Sequence, residues 1–295
     1  MMMRSEIDVL IPTTIGEALD LLHEHQTGLR IIAGGSDVIV QLRDGIIKTN
    51  RLLNLLSLKE LRYIKRIGNK IHVGALATYS DVNNSTLITK HAWILRDAAK
   101  QIGAVQLQNT ATIGGNLGNA SPAGDTLPPL YALNATVVTR SKSGRRSIPI
   151  DEFFTDYRKT ALQPNELIEE VYFNGLESND VGAYLKLGLR EANAISIVDV
   201  AVVLLGKLGT HKFAKARVAL GAVAPIIVRA HKCEAKLIDK PLTEDDLWAA
   251  STLAAEEISP ISDIRASAEY RRNVTVSCVY QALHDAVFGR VNNHA

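Results

Sequence analysis

The chain has 295 residues, 46% hydrophobic and 22% charged, with 33 basic against 31 acidic side chains and a net charge of +2. At roughly 150 residues per domain that length suggests two domains, and the composition excludes disorder, collagen-like repeats and a disulfide scaffold. Scattered charge and only 5% aromatic residues argue against a nucleic-acid surface. In chain order, Thr14-Ile15-Gly16-Glu17 reads as a capping box opening a helix through Ala18, Leu21 and Leu22. Leu29 to Ala33 reads as a buried strand ending in Gly34-Gly35, with Ser36 as cap of a helix through Val38, Ile39 and Leu42. A strand at Arg51 to Leu55 and a second box, Ser57-Leu58-Lys59-Glu60, follow, then an alternating strand at Lys70 to Gly74. Ala92 to Ile102 reads as a helix burying Ile94, Leu95, Ala98 and Ala99. The stretch from Asn109 to Pro129 is dense in Gly, Asn, Ser, Thr and Pro, and its composition predicts a long functional loop. Ala135 to Thr139 and Ser147 to Ile150 predict a hairpin, and Leu167 to Phe173 a further strand.

Asn174 to Asp180 is a polar linker, where the main domain boundary is placed. Beyond it come apolar strands at Ala183 to Leu189, Ile195 to Leu205 and Ala216 to Ala222, with Lys207 to Thr210 as a hairpin turn. Helices are expected at Val228 to Leu237, Glu244 to Ile258 and Ala268 to Phe288. Strands followed by helices predict an α+β layer with helices on one face of an antiparallel sheet. Cys233 and Cys278 are too few for a protein-bound cluster or a CxxC…CxxC zinc site, and read as reduced thiols. His23 with His25, and His231 with Cys233, diverge on their helices and predict no metal site. The opening Met1 to Glu6 lacks the features of a signal peptide. The best candidate span, Ile195 to Leu205, is too short and contains Asp199, so no membrane span and a cytoplasmic location are expected.

Two glycine-rich turns carry the chemistry. Ile31-Ile32-Ala33-Gly34-Gly35-Ser36-Asp37-Val38 places a glycine pair between strand and helix, where bare backbone N–H groups suit an anion such as phosphate. A purely structural turn is the alternative, because this is neither a Walker A loop nor GxGxxG. The second, Ala111-Thr112-Ile113-Gly114-Gly115-Asn116 and on to Asp125, mixes glycines, hydroxyls and amides with one acid. That mix suits a ligand with phosphates and a ribose. Alternatively, Asp125 caps the helix over Leu127 to Leu133.

These stretches, with Ala120-Ser121-Pro122-Ala123-Gly124-Asp125, Tyr157-Arg158-Lys159-Thr160-Ala161-Leu162, Lys186-Leu187-Gly188-Leu189-Arg190, Ala219-Leu220-Gly221-Ala222-Val223-Ala224-Pro225 and Ser267-Ala268-Glu269-Tyr270-Arg271-Arg272, occur in an order that resembles a known family. The chain resembles the FAD-binding subunit, or medium chain, of the molybdenum hydroxylases, the xanthine, carbon monoxide and nicotinate dehydrogenase group. The resemblance covers nearly the whole chain. It implies an α+β fold: a two-part FAD-binding domain of the vanillyl-alcohol-oxidase (PCMH) and UDP-N-acetylenolpyruvoylglucosamine-reductase type, then a small α+β domain. The domains would be residues 1–176, with sub-parts about 1–56 and 57–176, and 181–290.

The resemblance further implies that residues Ile31, Ile32, Ala33, Gly34, Gly35, Ser36, Asp37 and Val38 wrap the FAD pyrophosphate. Ala111, Thr112, Ile113, Gly114, Gly115 and Asn116 would hold the cofactor's other side, with Gly103 in the segment leading to them. Asp125 would bind on the adenosine side, and Ile168 and Lys186 beside the flavin. Lys186, between Leu185 and Leu187, is an odd place for a charge unless something polar meets it; a snorkelling surface lysine is the alternative. Ser36 and Asp37 stand where covalent relatives carry a histidine, so FAD is expected to be non-covalent. The implied partners are a large molybdopterin subunit and a small subunit with two 2Fe–2S clusters, in a dimer of heterotrimers. Electrons would pass from the nearer cluster through FAD to NAD or another acceptor, with no catalytic acid or base in this chain and Arg271 and Arg272 in a docking element. A stand-alone flavin oxidoreductase of the same fold is the alternative, and an assembly subunit without flavin a third.

Overall fold

The computed structural model describes residues 7–25 and 28–289, without the side chains of residues 207 and 208; the opening residues read above for a leader lie outside them. The N-terminal segment forms β1 (Asp8–Leu10), α1 (Ile15–Glu24), β2 (Leu29–Ile32), α2 (Val38–Arg43) and β3 (Arg51–Asn54). The three strands pair in parallel in the order β1-β3-β2, and α1 buries Ile15, Ala18, Leu19 and Leu22 in a small core with Leu53, Leu55, Leu58 and Leu61. Thr14 caps α1, its Oγ1 accepting from Glu17 N at 3.1 Å, but the Glu17 carboxylate accepts from Thr13 N at 2.7 Å instead of closing the box. The second predicted box does not form. Ser57 donates to Pro12 O and Glu60 Oε1 accepts from Ile15 N at 3.1 Å, so both side chains serve the start of α1, and Lys59–Leu61 is only a 3-10 turn.

The middle segment contains β4 (Ile64–Ile67), β5 (Lys70–Gly74), α3 (Tyr79–Asn84), α4 (Thr86–His91), α5 (Trp93–Lys100), α6 (Val105–Thr110), α7 (Ile113–Asn119) and α8 (Leu127–Ala132). After these come β6 (Thr136–Ser141), β7 (Gly144–Pro149), α9 (Ile150–Phe153), β8 (Phe154–Asp156), β9 (Lys159–Thr160) and β10 (Leu167–Asn174). An antiparallel sheet in the order β4-β5-β10-β6-β7 carries the short helices. The predicted long loop at 109–129 is therefore corrected: it contains α7 and the start of α8. The reason is packing. A Cβ on Gly114 would lie 2.6 Å from Ala75 Cβ, so this glycine lets α7 press on the sheet, with Ile113 and Leu117 buried beside it.

The C-terminal segment has an antiparallel sheet of β11 (Val181–Gly188), β12 (Ser196–Lys207), β13 (Lys212–Gly221) and β14 (Val228–Arg229), in that order. It is followed by α10 (His231–Lys236), α11 (Glu244–Ala254) and α12 (Ala268–His284). The helix expected from Val228 thus begins only at His231, because Val228 and Arg229 pair with Leu220 and Ala219. The two-residue period of β12 explains its unbroken apolar run. Ala201 and Val203 join the core of the middle segment, whereas Val200, Val202 and Leu204 join α10–α12. Each such buried Val or Leu contributes about 1.5–3 kcal/mol. Of the two arginines read as a docking element, Arg271 is buried and so not available for docking. Arg271 is 2% exposed and donates to Ile197 O at 2.6 Å, Ala222 O at 2.9 Å and Asp263 Oδ1 at 2.9 Å; Arg272 donates to Ala255 O and Ile258 O. The Arg271 guanidinium faces inward, where buried carbonyls need donors, whereas Arg272 is exposed.

Candidate functional site

The first glycine turn lies where β2 ends. Gly34 is pressed against the second turn: a Cβ there would sit 1.9 Å from the carbonyl oxygen of Thr110, so the two backbones touch. Gly35 has φ +75°, the left-handed region that favours glycine. Ser36 is not the helix cap, a correction to the sequence reading. The cap position falls to Asp37 in a helical conformation with no side-chain cap bond, and Ser36 Oγ donates to Asp37 Oδ2 at 3.3 Å. The consequence is chemical. Among the described residues, no protein acceptor takes the backbone N–H of Gly34, Gly35, Ser36, Asp37 or Val38. A run of such N–H groups forms a concave nest for an anion. Asp37 would oppose one, but Asn119 Nδ2 donates to its Oδ1 at 2.8 Å. Asn119 Oδ1 in turn accepts from Gln41 Nε2 at 2.8 Å and Arg158 Nη1 at 3.4 Å.

The second turn behaves differently. Thr112 caps α7, its Oγ1 accepting from Gly115 N at 3.0 Å, while Ile113 N donates to Ala77 O and Gly114 N to Ala75 O. The start of α7 is thus already satisfied by protein, and anion-binding N–H groups belong to the first turn alone. What the second turn offers is shape: Ala111 is half-buried, Gly115 is exposed, and Gly34 docks beneath Thr110. Asn116 Nδ2 donates to Thr126 Oγ1 at 2.8 Å, tying α7 to the segment that bears Asp125. Ile168, buried on β10, lies beside Gly118, whose Cβ would be 3.8 Å from Ile168 Cδ1. Gly103 follows α5 at φ +48°, facing Leu107.

Asp125 and Lys186, placed by the resemblance at different parts of the ligand, are bonded to each other. Lys186 Nζ donates to Asp125 Oδ2 at 2.7 Å and to Gln101 O at 3.1 Å, and the two side chains are only 10% and 6% exposed respectively. Ser196 Oγ donates to Asp125 Oδ1 at 2.6 Å. Asp125 does not cap α8, since Thr126 holds that position. Burial pushes the Asp125 carboxyl up, and Lys186 and Ser196 pull it back. Lys186 also lines a cavity of about 300 Å³ with Gln101, Leu187, Gly188, Leu189 and Arg190. Sequence reasoning did not place Gln41, Asn119 and Arg158 around the first turn or Ser196 behind Asp125, although Asn119 lies in the Gly/Asn-rich stretch and Arg158 in one of the family-like stretches.

A family model described as the FAD binding domain in molybdopterin dehydrogenase matches residues 5–173, and the CO dehydrogenase flavoprotein C-terminal domain matches residues 183–286. The chain belongs to the FAD-binding subunits of the molybdenum hydroxylase family. The nicotinate dehydrogenase FAD-subunit of Eubacterium barkeri is 31% identical to this flavoprotein subunit over 283 residues, 94% of this chain and 95% of that one. The glyceraldehyde dehydrogenase medium chain of Sulfolobus acidocaldarius is 31% identical over 261 residues, 88% and 91% of the two chains. Among solved structures, carbon monoxide dehydrogenase from Hydrogenophaga pseudoflava superposes with a TM-score of 0.92 at 28% identity, covering 97% of this chain and 98% of that one. The molybdenum hydroxylase FAD subunit is thus an FAD-binding domain followed by a C-terminal domain, and a flavoprotein subunit of a multi-subunit oxidoreductase.

Proposed function

We propose that this subunit holds FAD non-covalently and passes electrons from the 2Fe–2S clusters of a small partner subunit to NAD or another acceptor. A large molybdopterin subunit would carry the substrate chemistry, the whole being a dimer of heterotrimers in the cytoplasm. The names of the relatives support several chains, since they are called FAD-subunit or medium chain. No helix among the described residues is long and apolar enough to cross a membrane. We place the boundary between the two domains in residues 177–180.

The observation that carries the reading is the run of free N–H groups from Gly34 to Val38. It fits a pyrophosphate: donors without side-chain bulk, on a loop fixed by its contact with Thr110 and with the one nearby acid, Asp37, tied to Asn119. Ile31, Ile32 and Ala33 would lead the backbone into this nest. Ala111 to Asn116, with Gly103, would shape the facing wall, and Ile168 would back it. Asp125 and Lys186, being one pair, would meet a single part of the cofactor, with Lys186 on the wall of the cavity. Exposed Ile39 and Val40 beyond the nest, and Val105 and Leu107 on α6, supply apolar surface nearby. When bound, FAD would supply the redox chemistry, an exchange between one-electron and hydride transfer. The chain's own residues bind and orient it.

The test is anaerobic bleaching of the flavin by purines, aldehydes and aromatic heterocycles, with the chain alone and with its molybdenum and iron–sulfur partners. The expected result is a yellow protein bleached by substrate only with partners present. Rapid bleaching of the chain alone contradicts the relay reading in favour of a stand-alone oxidoreductase, and a colourless chain that takes up no FAD contradicts the cofactor site.

A further inference from the structure

Behind the Asp125–Lys186 pair lies a second carboxylate that the cofactor reading does not use. Asp199, on β12 opposite Lys186 in the β11–β12 register, is 0% exposed. Its Oδ2 lies 3.4 Å from the Tyr184 hydroxyl, and its Oδ1 is buried without a hydrogen-bond partner. Asp125 lies close enough to the Tyr184 hydroxyl to act on it, although the hydroxyl's hydrogen bond is to Asp199. Only a glycine admits Asp199 here: a Cβ on Gly221 would lie 2.2 Å from its Oδ1. The chain Lys186–Asp125–Tyr184–Asp199 therefore runs from the cavity wall into the seam between the two domains.

That chain holds two carboxylates and one ammonium. Asp125 has the strong donors, Lys186 at 2.7 Å and Ser196 at 2.6 Å, whereas Asp199 has one long contact. An unpaired buried carboxylate is costly, so the second acid keeps its proton. Burial holds the Asp199 carboxyl well above the usual carboxylate range, and the nearby Asp125 adds to this. Lys186 and the Tyr184 hydroxyl pull it back only in part. On α12, the Cys278 thiol is itself pushed up to about 11 by burial and then by Asp199, and Arg271 is engaged by Ile197 O, Ala222 O and Asp263.

We propose that Asp199 is a positioning residue for the cofactor site: a neutral acid that donates to Tyr184, so that Tyr184 donates to Asp125 and one carboxylate is left for one ammonium, Lys186. The proposal rests on the reading that Lys186 and Asp125 meet FAD, and the two can fail separately. The proton is tested on the full chain without FAD. Unfolding releases it to water, because an unfolded aspartate has a pKa of about 3.9. From pH 5 to 8 the unfolding constant of the wild type, relative to Asp199→Asn, should therefore rise tenfold per pH unit; a ratio flat across that range overturns the proposal. Should Asp199→Asn not fold, carbon-13 NMR of aspartate-labelled wild type decides. A protonated carboxyl resonance that does not titrate between pH 5 and 8 is expected, and its absence is contradictory. The positioning role is tested by FAD titration. Asp199→Asn, which still donates to Tyr184, should bind FAD within about threefold of wild type, whereas Asp199→Leu, folded but unable to donate, should bind about tenfold more weakly. Equal affinity of the Leu variant overturns the positioning role. Failure of the wild type itself to bind FAD rejects the cofactor reading and leaves the unfolding result standing.

Discussion

Removing one partner of the Asp125–Lys186 pair should cost far more than removing both. In Asp125→Ala the Lys186 ammonium, 6% exposed, keeps only Gln101 O at 3.1 Å. Stranding a buried charge costs about 3–5 kcal/mol. An upper bound comes from neutralisation: stripping the proton from a lysine of pKa about 10.4 at pH 7 costs about 4.6 kcal/mol. Lys186→Met leaves Asp125 without its counter-ion, and protonating it from pKa about 3.9 caps the loss at about 4.2 kcal/mol. The double variant Asp125→Leu/Lys186→Met should lie within about 1 kcal/mol of wild type, because an apolar pair of similar volume has no desolvation penalty. The sign of the pH dependence is also fixed. In Lys186→Met the folded Asp125 carboxyl, raised by burial and no longer pulled back by Lys186, lies further above its unfolded value, so the folded state binds more protons and the deficit shrinks as pH falls from 7 toward 4. Urea unfolding followed by tryptophan fluorescence is the assay, since Trp93 Nε1 donates to Gly182 O at 2.9 Å across the same seam. A coupling energy below about 1 kcal/mol, or a pH-independent deficit, would refute the reasoning.

Gly34→Ala should lower melting temperature and FAD affinity together, because its Cβ would sit 1.9 Å from Thr110 O and the turns must part; differential scanning fluorimetry and FAD titration check this. Thr112→Ala removes the cap on α7 and should cost about 1 kcal/mol in urea unfolding, with Thr112→Ser close to wild type. Arg271→Met leaves two backbone carbonyls and Asp263 without their donor and should cost about 3 kcal/mol or more, whereas a docking arginine would change complex assembly at constant stability.

Local signals in the sequence were legible where local chemistry decides. Thr14 caps α1, and the β6–β7 hairpin pairs Thr136 with Pro149 as the β-branched run suggests. They misled where a tertiary partner outbids the local one. Glu60 sits at the correct spacing for Ser57, yet it accepts from Ile15 N, 45 residues away. Gly114 reads as loop by composition, but it is a contact point that lets a helix lie on Ala75. In the candidate site, the glycine turns stood out, whereas their division of labour did not. Only the hydrogen-bond pattern distinguishes the free N–H groups of the first turn from the satisfied start of α7. Lys186 and Asp199 each appeared as a charge interrupting an apolar strand, which is the one trace a buried network leaves in a sequence. Pairing Lys186 with Asp125, 61 residues earlier, needs the fold.

The central claim is that the backbone from Gly34 to Val38 holds the cofactor, and titration of FAD into the wild-type chain and Gly35→Val tests it most directly. Gly35 sits at φ +75°, where a β-branched residue is an outlier, and its added atoms would also meet Ile39 Cγ1, 3.3 Å from the Cβ position. Leaving the left-handed region turns the N–H groups of Gly35 and Ser36 away from one another without touching the buried cores. The account predicts one FAD per wild-type chain, and a Gly35→Val protein with unchanged circular dichroism that retains no FAD. Stoichiometric FAD in the Gly35→Val protein, at the wild-type dissociation constant, would contradict it.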